Sequence, residues 1–176
     1  MIDWLVHKNI DISNYKNYFN TIVNNVPEVD LQSKSTRGIN SKQFDLKEQQ
    51  KKFSNLIDVV KNEILKISDN LKLDLVSAWT VIGDENSYHL AHRHNDPINH
   101  ISTVLYLSVP EKNTFHQSGS FFYFKRDENN NIEHNFIEPK EGSLIIMPVH
   151  IWHGTYPQAP GKRQTLNMDF EYRKNA

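Results

Sequence analysis

Beyond Lys72 the chain breaks into seven short apolar runs rich in β-branched and aromatic residues, separated by turn-forming residues and free of helical periodicity. The runs cover about 73–82, 88–92, 102–109, 120–125, 132–137, 143–147 and 163–172, and residues 127–131 have the composition of a hairpin turn. Strands at this spacing, with no helix between them, predict a mainly β fold: a two-sheet jelly roll or similar cupin-like barrel.

The first 72 residues have a different texture. Ile12, Tyr15, Phe19, Ile22 and Val23 recur at steps of three and four, which predicts a helix over 11–26 with Asp11 or Ser13 as its N-cap. Residues 27–45 are mostly polar and read as a long loop or an irregular extended arm. Phe53, Ile57, Val60, Ile64, Ile67 and Leu71 then predict a second amphipathic helix over 46–70. Two helices covering one face of a sheet follow, so 1–72 is expected to form a helical cover and 73–172 the jelly-roll core. A chain of 176 residues fits one domain, 1–176, large enough for a real core.

Composition narrows the chemistry. The chain has no cysteine, so any metal must be held by His, Asp or Glu. Twenty basic and twenty-one acidic residues leave no electrostatic footprint for nucleic acid or an anionic membrane. No apolar run approaches a membrane span and the first residues do not read as a secretory signal, so the expectation is a soluble, cytoplasmic protein.

Eight of the nine histidines lie between His89 and His153, a crowding that a solvated surface has no reason to produce. His94 and Asp96 are two residues apart, and in extended backbone such positions face the same side, so both can reach one ion. His153, just after the run ending at Met147 and the turn at Pro148, is the candidate third ligand. Two histidines and a carboxylate on one face of a metal leave three positions open, the arrangement of non-heme Fe(II) oxygenases. In the last run, alternation puts Arg163, Thr165, Asn167 and Asp169 on one face, opposite Gln164, Leu166, Met168, Phe170 and Tyr172. That polar face is expected to line a wet cavity, where the Arg163 guanidinium offers a planar fork for a carboxylate, with Thr165 as a neighbouring donor.

Several stretches together look like one family. Tyr88-His89-Leu90-Ala91-His92-Arg93-His94, the run from Ser102 to Pro110, the run from Gly142 to Pro148 leading to His153-Gly154, and Arg163-Gln164-Thr165 resemble the 2-oxoglutarate-Fe(II) oxygenases of microbes and phages. Trp79 fits the family's Trp ahead of the metal strand, and Asn86 stands where a glycine is usual. The resemblance spans about 73–172 and, more loosely, residues 41–46. It implies a double-stranded β-helix, Fe(II) and 2-oxoglutarate as cofactors, Arg163 on the far carboxylate of 2-oxoglutarate, and O2-dependent oxidation, most simply a hydroxylation, of an unidentified small-molecule or side-chain substrate.

The paired ligands have two alignments. Matching from the left selects His92 and His94; matching from Pro97 and Ser102 selects His94 and Asp96. The second is favoured because a carboxylate lowers the charge of an Fe(II) site, which makes His94, Asp96 and His153 the expected set and His92 the alternative. Tyr106 shares a face with Ser102 and Val104 and is a candidate wall of the 2-oxoglutarate pocket. His89, His100, His116 and His134 read as solvated or backbone-bonded, and His150 as a neighbour of the site or a substitute ligand. The extended arm and residues 111–119 and 156–162 are candidates for the mouth. Two other readings remain at this point: a cupin-like metalloenzyme that does not use 2-oxoglutarate, and a non-catalytic ligand-binding jelly roll.

Overall fold

A computed structural model of the chain describes residues 5–29, 38–110 and 117–174. Nine strands form one curled antiparallel sheet: β1 (Val6–Asn9), β2 (Gly38–Asp45), β3 (Leu71–His92), β4 (His100–Ser108), β5 (Phe121–Arg126), β6 (Ile132–Ile137), β7 (Ser143–Pro148), β8 (His153–Thr155) and β9 (Arg163–Lys174). The order across the sheet is β1-β7-β4-β9-β3-β8-β5-β6, with β2 also on β3. The mainly β jelly roll expected from the sequence is what forms.

The alternation of β9 divides the sheet into two faces. Leu166, Met168 and Phe170 point to an apolar core shared with Ile101, Leu105, Leu107, Leu144 and Ile146. Two helices cover that face, α1 (Lys16–Ile22) and α2 (Ser54–Leu65), through Phe19, Ile22, Leu56, Ile57, Val60 and Ile64. Arg163, Thr165, Asn167 and Asp169 point the other way and are also buried.

Both helices are shorter than their periodicity predicts. The Asp11 side chain accepts the Ser13 amide and Tyr15 N–H bonds to the Ile12 carbonyl, so the first residues close turns before α1 begins. The backbone from Lys47 to Phe53 is a 3-10 helix. Lys47–Lys52 offer no apolar side chain to bury, and α2 starts only where Phe53 and Leu56 reach the core.

The arm read as a loop over 27–45 ends in a strand. β2 pairs along β3 from Asp45↔Trp79 to Gly38↔His89, so backbone pairing at a sheet edge overrides a polar sequence. The helical cover of 1–72 therefore also contributes two strands, β1 and β2. β1 lies on β7, where Ile10 N–H bonds the Gly142 carbonyl. A Cβ on Gly142, whose φ is +80°, would come within 2.3 Å of the Ile10 oxygen.

The two runs expected at 73–82 and 88–92 are one strand. β3 runs 22 residues, pairing β9 along its first part and β8 at His89 and His92. Its kink lies at Asn86, whose φ is +60°. That left-handed conformation favours glycine, and asparagine is among the few other residues that enter it readily. No helix among the described residues is long and apolar enough to cross a membrane.

Candidate metal centre and co-substrate pocket

The cavity on the polar face of the sheet measures about 440 Å³ and is walled by β3, β4, β5, β8 and β9. At one end three imidazoles converge. His92 ends β3 and pairs directly with His153 at the start of β8, their ring centroids 4.4 Å apart. His94, two residues on, lies 5.7 Å from the His92 ring and 5.4 Å from the His153 ring. Its backbone N–H is tied to the Val149 carbonyl.

One ring nitrogen from each of these three residues lies within 4.8 Å of the others, the spacing of a metal-binding group. A second such group joins His94 to Asp96 and Asp169. Of the residues expected from sequence, His94 and His153 share the first group with the alternative ligand His92. Asp96 belongs only to the second group, its Oδ2 4.0 Å from His94 Nδ1, and its side chain is 42% exposed.

The protonation of the rings suits a metal. His92 Nδ1 donates to the Leu90 carbonyl at 2.8 Å and His153 Nδ1 to the Ile151 carbonyl at 2.9 Å. Each bond fixes the proton on Nδ1 and leaves Nε2 with a free lone pair. Burial lowers the pKa of His92, and burial together with the neighbouring imidazoles lowers that of His153 well below the ordinary value. Both are neutral at pH 7, so no proton competes with a cation there.

At the other end of the cavity sits Arg163. Its Nη1 donates to the Gly119 carbonyl and its Nη2 to Thr155 Oγ1, and among the described residues no carboxylate pairs with it. A buried guanidinium with no anion is costly unless a ligand supplies one. Tyr106 is fully buried beside it with an unpartnered hydroxyl, and burial pushes its pKa up to about 12, so it is a neutral donor. Thr165, opposite Tyr106 in the ladder, accepts from Asn167 and keeps its own proton to donate. A cation, a phenol and a hydroxyl with no carboxylate among them fit one end of a dicarboxylate, and the nitrogen donors across the cavity fit a metal.

Two pocket residues were not singled out by sequence. His89, expected to be solvated or backbone-bonded, lines the cavity, and burial with the nearby Arg163 charge pushes its pKa down to about 3. Simple alternation sends residues three apart to opposite faces. A register shift between His89 and His92 turns both inward, and no sequence signal marks that bulge. Asp169 was legible as part of the polar face of β9, but its proximity to His94 was not.

Other histidines differ as well. His100, expected to be solvated or backbone-bonded, is buried, and its Nδ1 has no partner among the described residues. His134 is exposed but lies in an aromatic cluster with Phe122, Phe124 and Tyr156. His150 is exposed and belongs to neither donor group, and His116 lies outside the described residues. Val29, Gln43 and Asp45 of the arm line the cavity, whereas residues 156–162 do not.

Comparison with known proteins decides between the readings. The family model described as "Putative 2OG-Fe(II) oxygenase" matches residues 77–169, more than half of the chain and every residue of the cavity's two ends. The chain belongs to this family. It is therefore a 2-oxoglutarate- and Fe(II)-dependent oxygenase, which sets aside the cupin-like and non-catalytic alternatives.

Solved structures share the fold at low identity. An oxidoreductase of the 2OG-Fe(II) oxygenase family from Burkholderia pseudomallei is 12% identical, with a TM-score of 0.71 over 98% of this chain and 86% of that one. A prolyl-4-hydroxylase from Pseudomonas putida is 16% identical, with a TM-score of 0.67 over 96% and 92%. HygX from Streptomyces hygroscopicus, solved with nickel and 2-oxoglutarate bound, is 14% identical, with a TM-score of 0.70 over 95% and 82%. No curated protein sequence matches the chain.

Proposed function

We propose that this family member is a hydroxylase, with Fe(II) held by His94 and His153 and a third donor, and with the far carboxylate of 2-oxoglutarate held by Arg163. Hydroxylation is the simplest outcome that balances with O2 and 2-oxoglutarate alone: one oxygen atom enters the C–H bond and the other enters succinate as CO2 leaves. The observation that carries the reading is the enclosed Arg163, lacking any carboxylate among the described residues, across one cavity from neutral nitrogen donors. His92 is the third donor that the geometry favours, because its Nε2 is free and its ring converges with the other two. Asp96, the donor favoured from sequence, is the alternative.

Bound Fe(II) and 2-oxoglutarate supply the activation of O2 that oxidises a substrate C–H bond. The rest is the work of the chain. Arg163 would hold the far carboxylate through its guanidinium, and Tyr106 and Thr165 would donate to the same end, which would fix the co-substrate's direction in the cavity. Phe121, stacked on His153 with ring centroids 5.5 Å apart, and Val81 and Val104 form apolar walls that exclude water. In this reading the substrate enters past Trp79, whose ring is 6.2 Å from that of His94, and past Gln43 and Asp45 across the ladder. The same reading takes 1–176 as one oxygenase domain.

Anaerobic titration tests it. One Fe(II) per chain should bind, addition of 2-oxoglutarate should change the visible absorption of the iron form, and admission of O2 should release succinate. An iron-loaded protein with no spectral or calorimetric response to 2-oxoglutarate would sink the Arg163 assignment.

A further inference from the structure

We propose that Asp169 is a positioning residue of the metal centre, accepting the Nδ1 proton of His94 so that Nε2 faces the metal. The inference rests on His94 being a ligand, which holds for either choice of third donor above.

The three converging imidazoles are anchored differently. His92 and His153 each give Nδ1–H to the carbonyl two residues before them. His94 has no such carbonyl. Its Nδ1 faces two carboxylates instead, Asp169 Oδ1 at 3.6 Å and Asp96 Oδ2 at 4.0 Å. Asp96 is largely open to water, whereas the Asp169 side chain is only 8% exposed and sits in the middle of the sheet, opposite Ser77 of β3 and Ser102 of β4. Ser77 Oγ donates to Asp169 Oδ2 at 3.0 Å, which aims the other oxygen at His94.

That other oxygen, Oδ1, is buried and has no hydrogen-bond partner among the described residues. A buried carboxylate oxygen left bare costs about 1 to 3 kcal/mol, more if the group is charged. A closing movement of roughly half an ångström brings the pair within ordinary hydrogen-bond range. The bond then completes the carboxylate and locks the His94 tautomer. It also makes Nε2 a stronger donor, as carboxylate partners do for metal-binding histidines. With a three-histidine set, Asp169 further supplies an anionic neighbour that the ligands themselves lack.

The test uses Co(II) as the probe, titrated anaerobically into the full chain and followed by its d–d absorption. Asp169→Asn keeps the shape but weakens the acceptor, and should loosen Co(II) about 10- to 100-fold while shifting the band. His94→Ala should lose stoichiometric Co(II) outright. Wild-type affinity and an unchanged band in folded Asp169→Asn would overturn the proposal. Outright loss of Co(II) in that variant would also overturn it, because Asp169 would then be a ligand. If Asp169→Asn fails to fold, Ser77→Ala takes its place: releasing Oδ2 should weaken Co(II) several-fold in the same direction, and no change overturns the idea. A wild-type chain that binds no Co(II) refutes the ligand reading itself, a result distinct from a bound wild type with an indifferent variant.

Discussion

At the scale of single residues, His94 is the pivot: it belongs to both possible donor groups, and the third ligand separates them. If His92 is that ligand, His92→Ala should lose Fe(II) while Asp96→Ala retains it, by metal analysis after dialysis; the reverse outcome restores the His94, Asp96 and His153 set. His153→Ala should fail in both cases. In the proposed site Arg163 serves the co-substrate and not the metal. Arg163→Ala removes a charge-assisted contact worth about 1.5 to 3 kcal/mol, which corresponds to roughly a ten- to a hundredfold weaker 2-oxoglutarate constant. Arg163→Lys should recover part of it, since an ammonium keeps the charge but not the fork. Iron affinity should stay near wild type. Calorimetry with the nickel form reads both, and a variant that binds 2-oxoglutarate normally yet unfolds easily would make Arg163 structural.

At the scale of elements, legibility followed side-chain pattern. The strands with alternating or continuous apolar residues were readable, and β9 gave both its core face and its polar face from sequence. β2 was not, because its pairing is made by backbone along an edge and only Phe44 is buried in it among the described side chains. β8 has three residues, too few for any period. The kink in β3 left a trace only as Asn86, and it yields a prediction. A non-glycine residue in left-handed backbone costs about 1 to 2 kcal/mol, with asparagine at the low end. Asn86→Ala should therefore lower the melting temperature, while Asn86→Gly should leave it unchanged or raise it. Equal losses in both would mean that the Asn86 side chain, not its backbone, is what matters.

At the scale of the whole molecule, several imidazoles enclosed in one cavity make stability depend on pH. His89 has a folded pKa near 3 against an ordinary value near 6.5, and burial lowers His92 and His153 in the same direction. Below about pH 6.5 the unfolded chain takes up protons that the folded chain refuses, so stability is full above that pH and falls as pH drops toward 3. Denaturant midpoints of the metal-free protein should thus decline between pH 7.5 and pH 5, and His89→Gln should flatten the decline. A midpoint that is level across this range would mean the rings are hydrated.

The segment matched by the family runs from Ser77 to Asp169 and contains every group that holds metal or 2-oxoglutarate in this reading. Val29, Gln43 and Asp45, which line the same cavity, lie ahead of it on β2 and the residues before β2. Part of the cavity wall is thus written in a stretch of chain apart from the proposed oxidising groups, joined to them by the ladder between β2 and β3. In the proposed reading, changes in that N-terminal stretch can reshape one wall of the cavity without touching any group assigned to metal or 2-oxoglutarate.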